Sequence, residues 1–279
     1  MNDLENLLLK MIRLQELTFA QLEHEAADSQ LGVKEIQTSI SHILDDMPKD
    51  WGRLIQRLQG GGQPAVVPVT DEFCSFCRIQ LPTAMIQEIR RHSQIHQCPC
   101  CARILYFPEG GGFRMEIDTS RFGRGGIARF SSQKLIVPNL KASSREGALE
   151  EMVQVLAREG WVDRPDDILR AAVAREELVS TAVEYSLAFP HVRGVEGTGL
   201  IIALGLKKKG LRFGAPGNRL TRIIFFSVIP QAASGFYLKL MAGLVRTFRE
   251  AEARERLLNH ESQDELWETL LDLAQGAIP

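Results

Sequence analysis

Residues 175–193 read REELVSTAVEYSLAFPHVR, a segment in which helix-forming residues give way to an apolar run that ends at Pro190 and His191. Apolar and β-branched residues in short runs are typical of buried strands. Pro190 fixes the backbone directly before the histidine, so the imidazole is expected at a strand end, where a side chain can reach a cleft. Imidazole is largely neutral at pH 7 and is a competent nucleophile. The segment therefore predicts a reactive histidine at the end of a strand.

Donors for an anionic ligand surround this histidine in the sequence. Arg175 can offer a bidentate guanidinium, and Ser180 and Thr181 can orient a ligand or donate to it. Arg193 adds a second cation two residues after His191. A phosphoryl group in transfer needs such donors around its three equatorial oxygens. Together these residue types are those of a phosphoryl acceptor.

The sequence on both sides of this segment alternates helix and strand signals. Capping boxes at 143–146 and 262–265 each predict a helix start, and Pro165 with two following acids predicts another. Strands are predicted at 181–189, 200–206 and 223–229, and one long helix at 235–258. Residues 134–279 are therefore predicted to form an α/β sandwich within a multidomain α+β protein.

This region resembles the enzyme IIA type-2 domain of the fructose, mannitol and nitrogen branches of the sugar phosphotransferase system. An Arg-Glu pair leads to Ser-Thr and then to Ala-x-Pro-His at the family's spacing. The resemblance implies that His191 accepts a phosphoryl group from a histidine-containing phosphocarrier protein, with Arg175 as its electrostatic partner. Two departures bear on activity: residues 182–186 replace a glycine-rich run, and Tyr237 stands where the family often carries histidine. Whether the chain acts as a phosphotransferase depends on His191 being active.

A cysteine cluster precedes this region, with all five cysteines between residues 74 and 101. The pattern C-x2-C, twenty residues, then C-P-C-C is that of a zinc site in a reducing compartment. Cys100 is an alternative to the last cysteine, and His92 and His96 are helix-spaced alternatives that we interpret as surface residues. Four thiolates leave no open coordination position, so the zinc is expected to be structural. The predicted ligands are Cys74, Cys77, Cys98 and Cys101.

The cysteine region also resembles the bacterial C4-type zinc ribbon proteins. The resemblance rests on Val66-Val67-Pro68-Val69, Cys74-x-x-Cys77, Leu81-Pro82 and the run from Cys98 to Tyr106. Ala102 departs from it, since the family usually has glycine after the fourth cysteine. The resemblance implies a zinc-stabilised module that contacts protein or nucleic acid.

The first 62 residues have leucines and isoleucines at spacings of three and four, which predicts a helical hairpin or short coiled coil and a possible dimer contact. The glycines of 60–62 are expected to end it. The predicted organisation is thus helices (1–62), ribbon (63–110), linker (111–133) and enzyme IIA-like domain (134–279). Within the linker, residues 113–133 are rich in glycine, serine and arginine and are expected to pair locally as a hairpin.

Composition narrows the classes of function. Formal net charge is −2, so no overall positive field that would attract nucleic acid is indicated. No run of 18 apolar residues occurs, so no membrane span is indicated. The polar N-terminus does not resemble a signal peptide, so a cytoplasmic location is expected. No transporter segment is attached, which favours regulation over sugar uptake. The sequence thus predicts a cytoplasmic regulatory phosphoryl carrier whose ribbon binds an unidentified protein partner. Alternatives are a non-phosphorylated adaptor or sensor, and a nucleic-acid-binding zinc ribbon protein.

Overall fold

A computed structural model describes residues 3–108, 123, 125–195, 199–215, 217, 219–230 and 233–278. The predicted local pairing within 113–133 falls largely outside these residues. At the N-terminus the chain forms three helices where the sequence suggests two: α1 (Asp3–Ala26), α2 (Val33–Asp45) and α3 (Lys49–Leu58). Pro48, at the start of α3, separates it from α2 because proline cannot continue a helix interior. The short turn Gly60–Gly62 then ends the helical region, with Gly61 and Gly62 at positive φ.

The cysteine region forms a small four-stranded sheet with one helix. Its strands lie in the order β2-β1-β4-β3, with β1 and β4 parallel and the other two pairs antiparallel. Apolar side chains of β1, β4 and the helix pack around the cysteines as a separate core. The elements are β1 (Val66–Thr70), β2 (Phe73–Cys74), α4 (Thr83–Arg90), β3 (His96–Gln97) and β4 (Ile104–Tyr106).

The C-terminal region is an α/β sandwich around a five-stranded sheet. Strand β8 is antiparallel to β9, β5 adds in parallel beside β8, and both β6 and β7 lie parallel along the far side of β9. The strands are β5 (Ile136–Val137), β6 (Leu187–Ala188), β7 (His191–Val195), β8 (Ile201–Leu211) and β9 (Thr221–Pro230). The helices are α5 (Arg145–Arg158), α6 (Pro165–Leu178), α7 (Ser234–Phe248), α8 (Ala251–Leu258) and α9 (Gln263–Leu273).

Alternation along β8 and β9 builds the two faces of this sandwich. Successive side chains of a strand point to opposite faces. Ile201 and Ala203 of β8 therefore pack with α5 and α6, while Ile202 and Leu204 pack with the helices that follow β9. Both faces are apolar along Ile201–Leu206 and Ile223–Phe226, which explains why these parts of the two strands read as continuous hydrophobic runs.

Several local predictions need correction. The run 181–189 is a strand only at Leu187–Ala188, because Tyr185 and Ser186 take positive φ and turn the chain before it. The predicted helix 235–258 is two helices that break at Arg249 and Glu250. Ser144 caps α5 by accepting from the Gly147 amide, but Glu146 pairs with Arg145 instead of reaching back.

Helix α1 connects the N-terminal and C-terminal regions. The buried amide of Gln15 donates to the Val66 carbonyl and accepts from the Ala65 and Val66 amides, which fastens α1 to the edge of β1. Further along, α1 packs against α7 and, with Leu17 and Ala20, against the end of α6. The helix is buried on most of its circumference, which an ordinary amphipathic surface helix is not.

Candidate functional site

His191 is the first residue of β7, and its ring is held in one orientation. Its Nδ1 lies 3.0 Å from the Phe189 carbonyl, to which the Tyr237 hydroxyl also donates, at 3.4 Å. The Tyr237 and His191 rings contact each other, with centroids 5.3 Å apart. A proton on Nδ1 satisfies that carbonyl and leaves the lone pair of Nε2 as the nucleophilic position.

Arg193 lies on the same face of β7 as His191, because residues two apart in a strand point the same way. Its Nε donates to His191 Nε2 across 3.3 Å. Its guanidinium also stacks over the Phe19 ring of α1, 4.4 Å from the ring centroid. A cation is therefore fixed directly beside Nε2.

Arg175 approaches from the last turn of α6 and brings a second cation. One of its terminal nitrogens donates to the Val179 carbonyl at 2.8 Å, which anchors the guanidinium to the chain that follows the helix. The residue is only 8% exposed. Its other terminal nitrogen is directed toward the same point as Arg193.

That point is occupied by a carboxylate from the N-terminal helix, Glu23 of α1. One Glu23 oxygen lies 2.7 Å from Arg175. The other lies 2.6 Å from Arg193 and 3.1 Å from His191 Nε2. The imidazole and both guanidiniums thus converge on one anionic group.

The electrostatics agree with an ionised carboxylate beside a neutral imidazole. Burial on its own raises the pKa of Glu23, but His191, Arg175 and Arg193 together hold that pKa well below its ordinary value. Burial lowers the pKa of His191, and the attraction of Glu23 does not reverse this. Both guanidiniums favour the charged form of Glu23, and burial favours the neutral form of the His191 ring.

The predicted hydroxyl residues lie near the site but bond elsewhere. The Thr181 hydroxyl and amide both donate to Glu176, and the Ser180 hydroxyl accepts from the Ala182 amide. The Ser180 carbonyl lies 3.3 Å from Nε2 of His24, on α1. Of the five predicted residues, the structure brings His191, Arg175 and Arg193 together, while Ser180 and Thr181 shape the loop beside them.

A cavity of about 230 Å³ adjoins Arg175, His191 and Arg193, between α1, α6 and β7. Its apolar wall comes from α6, and its polar lining includes Glu16, two turns before Glu23 on α1. Burial raises the pKa of Glu16, although Arg175 and Arg193 act in the opposite direction. The site therefore has a second acid, from the same helix, close to its cations.

Sequence reasoning did not find Glu16 or Glu23. With Phe19 they form a stripe at spacings of three and four on a face of α1 distinct from its leucine stripe. Phe19 could have indicated this contact from the sequence, because an aromatic residue away from the main apolar stripe of a helix indicates a second packing neighbour. In the structure Phe19 is 1% exposed.

The four predicted cysteines also come together. Their sulfur atoms all lie within 4.8 Å of one another, with Cys77–Cys98 at 3.5 Å and Cys74–Cys101 at 3.8 Å. A tetrahedral ion with metal–sulfur bonds of about 2.3 Å separates its sulfurs by about 3.8 Å, so the donor set fits zinc. Within the described part of the chain the cluster includes no histidine, and Cys100 is exposed.

The two histidines considered as alternative ligands have other neighbours. His92 lies 3.4 Å from Glu5 and His96 lies 3.1 Å from Glu88. Both histidines are partly buried.

Comparison with known proteins bears on both regions. Residues 129–272 match the family model described as "Phosphoenolpyruvate-dependent sugar phosphotransferase system, EIIA 2", over more than half of the chain. The chain belongs to this family. Residues 74–105 match the model of the C4-type zinc ribbon domain. The two matched ranges are separate, as are the cores of the ribbon and of the EIIA type-2 region.

Curated proteins similar to the EIIA type-2 region come from archaea and bacteria. A fructose-specific EIIA component of Haloferax volcanii is 24% identical over 149 residues, covering 53% of this chain and 97% of that protein. A nitrogen regulatory protein of Pseudomonas aeruginosa is 26% identical over 138 residues, covering 50% and 90%. The crystal structure of IIA-Ntr from Neisseria meningitidis covers 50% of this chain and 96% of its own, at 26% identity and a TM-score of 0.47.

Among the helices that the structure describes, none combines the length and the apolar character that crossing a bilayer requires.

Proposed function

We propose that this chain is a cytoplasmic regulatory phosphoryl carrier of the phosphotransferase system, in which Nε2 of His191 accepts a phosphoryl group from a histidine-containing phosphocarrier protein. The observation that carries the proposal is the convergence of Arg175, Arg193 and His191 Nε2 on one carboxylate. An anion position built against a nucleophilic nitrogen is what phosphoryl transfer needs.

The transfer balances without a further reactant. The Nε2 lone pair forms the new N–P bond while the P–N bond of the donor imidazole breaks and its electron pair returns to that nitrogen. The Nδ1 proton stays on the His191 ring, where it donates to the Phe189 carbonyl. Arg175 and Arg193 neutralise the phosphoryl oxygens through the transfer, and Tyr237 keeps the shared carbonyl, and so the ring, in place.

Regulation, in preference to sugar uptake, is supported by the nitrogen regulatory proteins among the relatives and by the ribbon and helices attached to this EIIA domain. We also propose that Cys74, Cys77, Cys98 and Cys101 hold a structural zinc ion. When bound, the ion cross-links two turns that lack a large core of their own. The ribbon and the N-terminal helices would contact the regulated partner.

The test is incubation of the purified protein with phosphoenolpyruvate, enzyme I and the carrier protein that enzyme I phosphorylates, followed by intact-mass measurement and peptide mapping. We expect an acid-labile gain of one phosphate on His191, absent from His191→Ala. His42→Ala, on an exposed position of α2, is the matched control and should be phosphorylated like the natural chain. If the natural chain stays unmodified although the carrier protein is demonstrably phosphorylated, the proposal is contradicted.

A second candidate function is an adaptor that binds its partner without phosphorylation. The observation in its favour is that His191 is only 1% exposed. Partner binding that survives His191→Ala, together with no phosphate on the natural chain, would support the adaptor.

A further inference from the structure

The carboxylate of Glu23 lies where a phosphoryl group on His191 would have to be. Its nearer oxygen is 3.1 Å from Nε2, so phosphorus bonded to that nitrogen and its own oxygens would overlap the carboxylate. It also takes the donors that a phosphoryl group would use, since Arg175 and Arg193 each contact a Glu23 oxygen. Glu23 thus imitates the ligand in both position and charge.

The helix that carries Glu23 also closes the site to a protein donor. Phe19 of α1 covers Arg193, and Glu16 lines the cavity beside it. With α1 in this position, His191 is 1% exposed, which leaves no surface on which a second protein can present its phosphohistidine. Transfer therefore requires α1 to leave.

Charge makes the exclusion mutual. A phosphoryl group brings one to two negative charges to a pocket that already contains an ionised carboxylate, and like charges at contact distance repel strongly. It also satisfies both guanidiniums, which removes the attraction that keeps Glu23 in place. Occupation of the site by one group therefore weakens the other, and such coupling is reciprocal.

The movement would reach the ribbon, because Gln15 of the same helix holds the edge of β1. We propose that α1 is an autoinhibitory arm: docked Glu23 and phosphorylated His191 exclude each other, so phosphorylation releases α1 and exposes the face of the helix that is buried here. This inference rests on the proposed function, and it names the regulation of the same site.

The experiment uses three full-length variants and two readouts. Glu23→Ala removes the carboxylate, and Glu23→Gln keeps its shape without its charge. Glu25→Ala removes an exposed acid from the same helix turn and is the matched control. The first readout is carbethoxylation of His191 by diethylpyrocarbonate, quantified by peptide mass; this needs only an accessible neutral imidazole and no phosphotransferase component. The second readout is the initial rate at which the phosphorylated carrier protein phosphorylates each variant.

We expect Glu23→Ala to raise both rates roughly tenfold or more, since a buried charged partner of two guanidiniums is lost. Glu23→Gln should fall between Glu23→Ala and the natural chain, and Glu25→Ala should match the natural chain. Phosphorylated natural chain should also lose hydrogen-exchange protection in α1. If Glu23→Ala misfolds by circular dichroism, Glu23→Gln decides the question.

The two proposals can fail separately. If carbethoxylation of His191 rises in the Glu23 variants but no variant is phosphorylated, the autoinhibitory role of α1 is supported and the proposed carrier function is wrong. If the natural chain is phosphorylated and neither rate changes in the Glu23 variants, the carrier function is supported and the autoinhibitory role of α1 is wrong. Unchanged α1 protection in the phosphorylated protein would also overturn the arm.

Discussion

At the level of single residues, the site divides into a part that sequence could predict and a part that it could not. His191, Arg175 and Arg193 belong to one continuous segment, so local spacing places them together. Glu23 reaches Arg175 across 152 residues of sequence, and nothing local links the two. The burial of His191 could not be predicted either, because the ring contacts residues far away in the sequence, Glu23 and Tyr237.

Ala102 offers a test at this scale. Its φ is 59°, in the left-handed region that side chains disfavour, and this is the position where the ribbon family usually has glycine. We expect Ala102→Gly to stabilise the ribbon by about 0.5–1 kcal/mol. Relief of roughly 1–2 kcal/mol of backbone strain is partly offset by the greater freedom of glycine in the unfolded chain.

The measurement is thermal unfolding of the metal-loaded protein, followed by hydrogen exchange of ribbon peptides. Ala84→Gly, in the first turn of α4, is the control and should destabilise the same region, because its backbone is already helical. Equal effects of the two substitutions would contradict the strain argument.

At the level of elements, the end of α6 and the loop after it show how a well-predicted helix acquires an unpredicted role. Pro165 and the acids after it marked the start of α6 correctly. Its last turn carries both Arg175, which enters the site, and Glu176, which holds the Thr181 loop. Strand 181–189 was overpredicted because apolar composition does not reveal that Tyr185 and Ser186 turn the chain. By contrast, β9 and the apolar first half of β8 were predictable, since their apolar runs are long enough to have one interpretation. The predicted strand 200–206 did not include the lysine-rich second half of β8, which continues to Leu211.

Glu176 predicts a pH dependence of stability. Burial raises its pKa to about 6, from the 4.5 of an ordinary glutamate. The folded state therefore binds the proton more tightly than the unfolded state, and stability falls as pH rises between about 4.5 and 6. The loss attributable to this group is about 2 kcal/mol and is complete above that window. Glu176→Gln should flatten this part of the stability curve, measured by urea unfolding at successive pH values, whereas the exposed Glu177→Gln should leave it unchanged. A Glu176→Gln curve parallel to the natural one would rule out this carboxyl as the titrating group.

On the scale of the whole molecule, the sequence predicts both family resemblances, and the match of the two family models confirms them. The mixed helix and sheet class is confirmed as well. The two regions have separate cores, but only the EIIA region is large enough to rely on its own interior, since a region as small as the ribbon usually needs a metal as well. The position of α1 between the ribbon and the EIIA domain was not predictable, since it depends on contacts between residues far apart in the sequence, those of Gln15 and Glu23 among them.

Removal of the metal tests this arrangement. A strong chelator should unfold the ribbon, including the start of β1, to which Gln15 is hydrogen-bonded. The EIIA domain should stay folded, because it has its own core. We expect hydrogen exchange to accelerate in β1, β4 and α1 with little change in β8 and β9. Gln15→Ala in the metal-loaded protein should loosen α1 and the start of β1, where the Ala65 and Val66 amides lose their acceptor, without affecting β8 and β9. Loss of protection in β8 and β9 on chelation would contradict the separate cores.

Gln15 and Glu23 lie eight residues apart on one uninterrupted helix, about 12 Å along its axis. Because each residue advances a helix by about 100°, adding or deleting one residue between them turns one anchor away from its partner. The segment 16–22 should therefore not change in length during evolution, even where one of its residues is substituted. In chains descended from the same ancestor, drift in this spacing would mark lineages in which the ribbon and the His191 site have become independent.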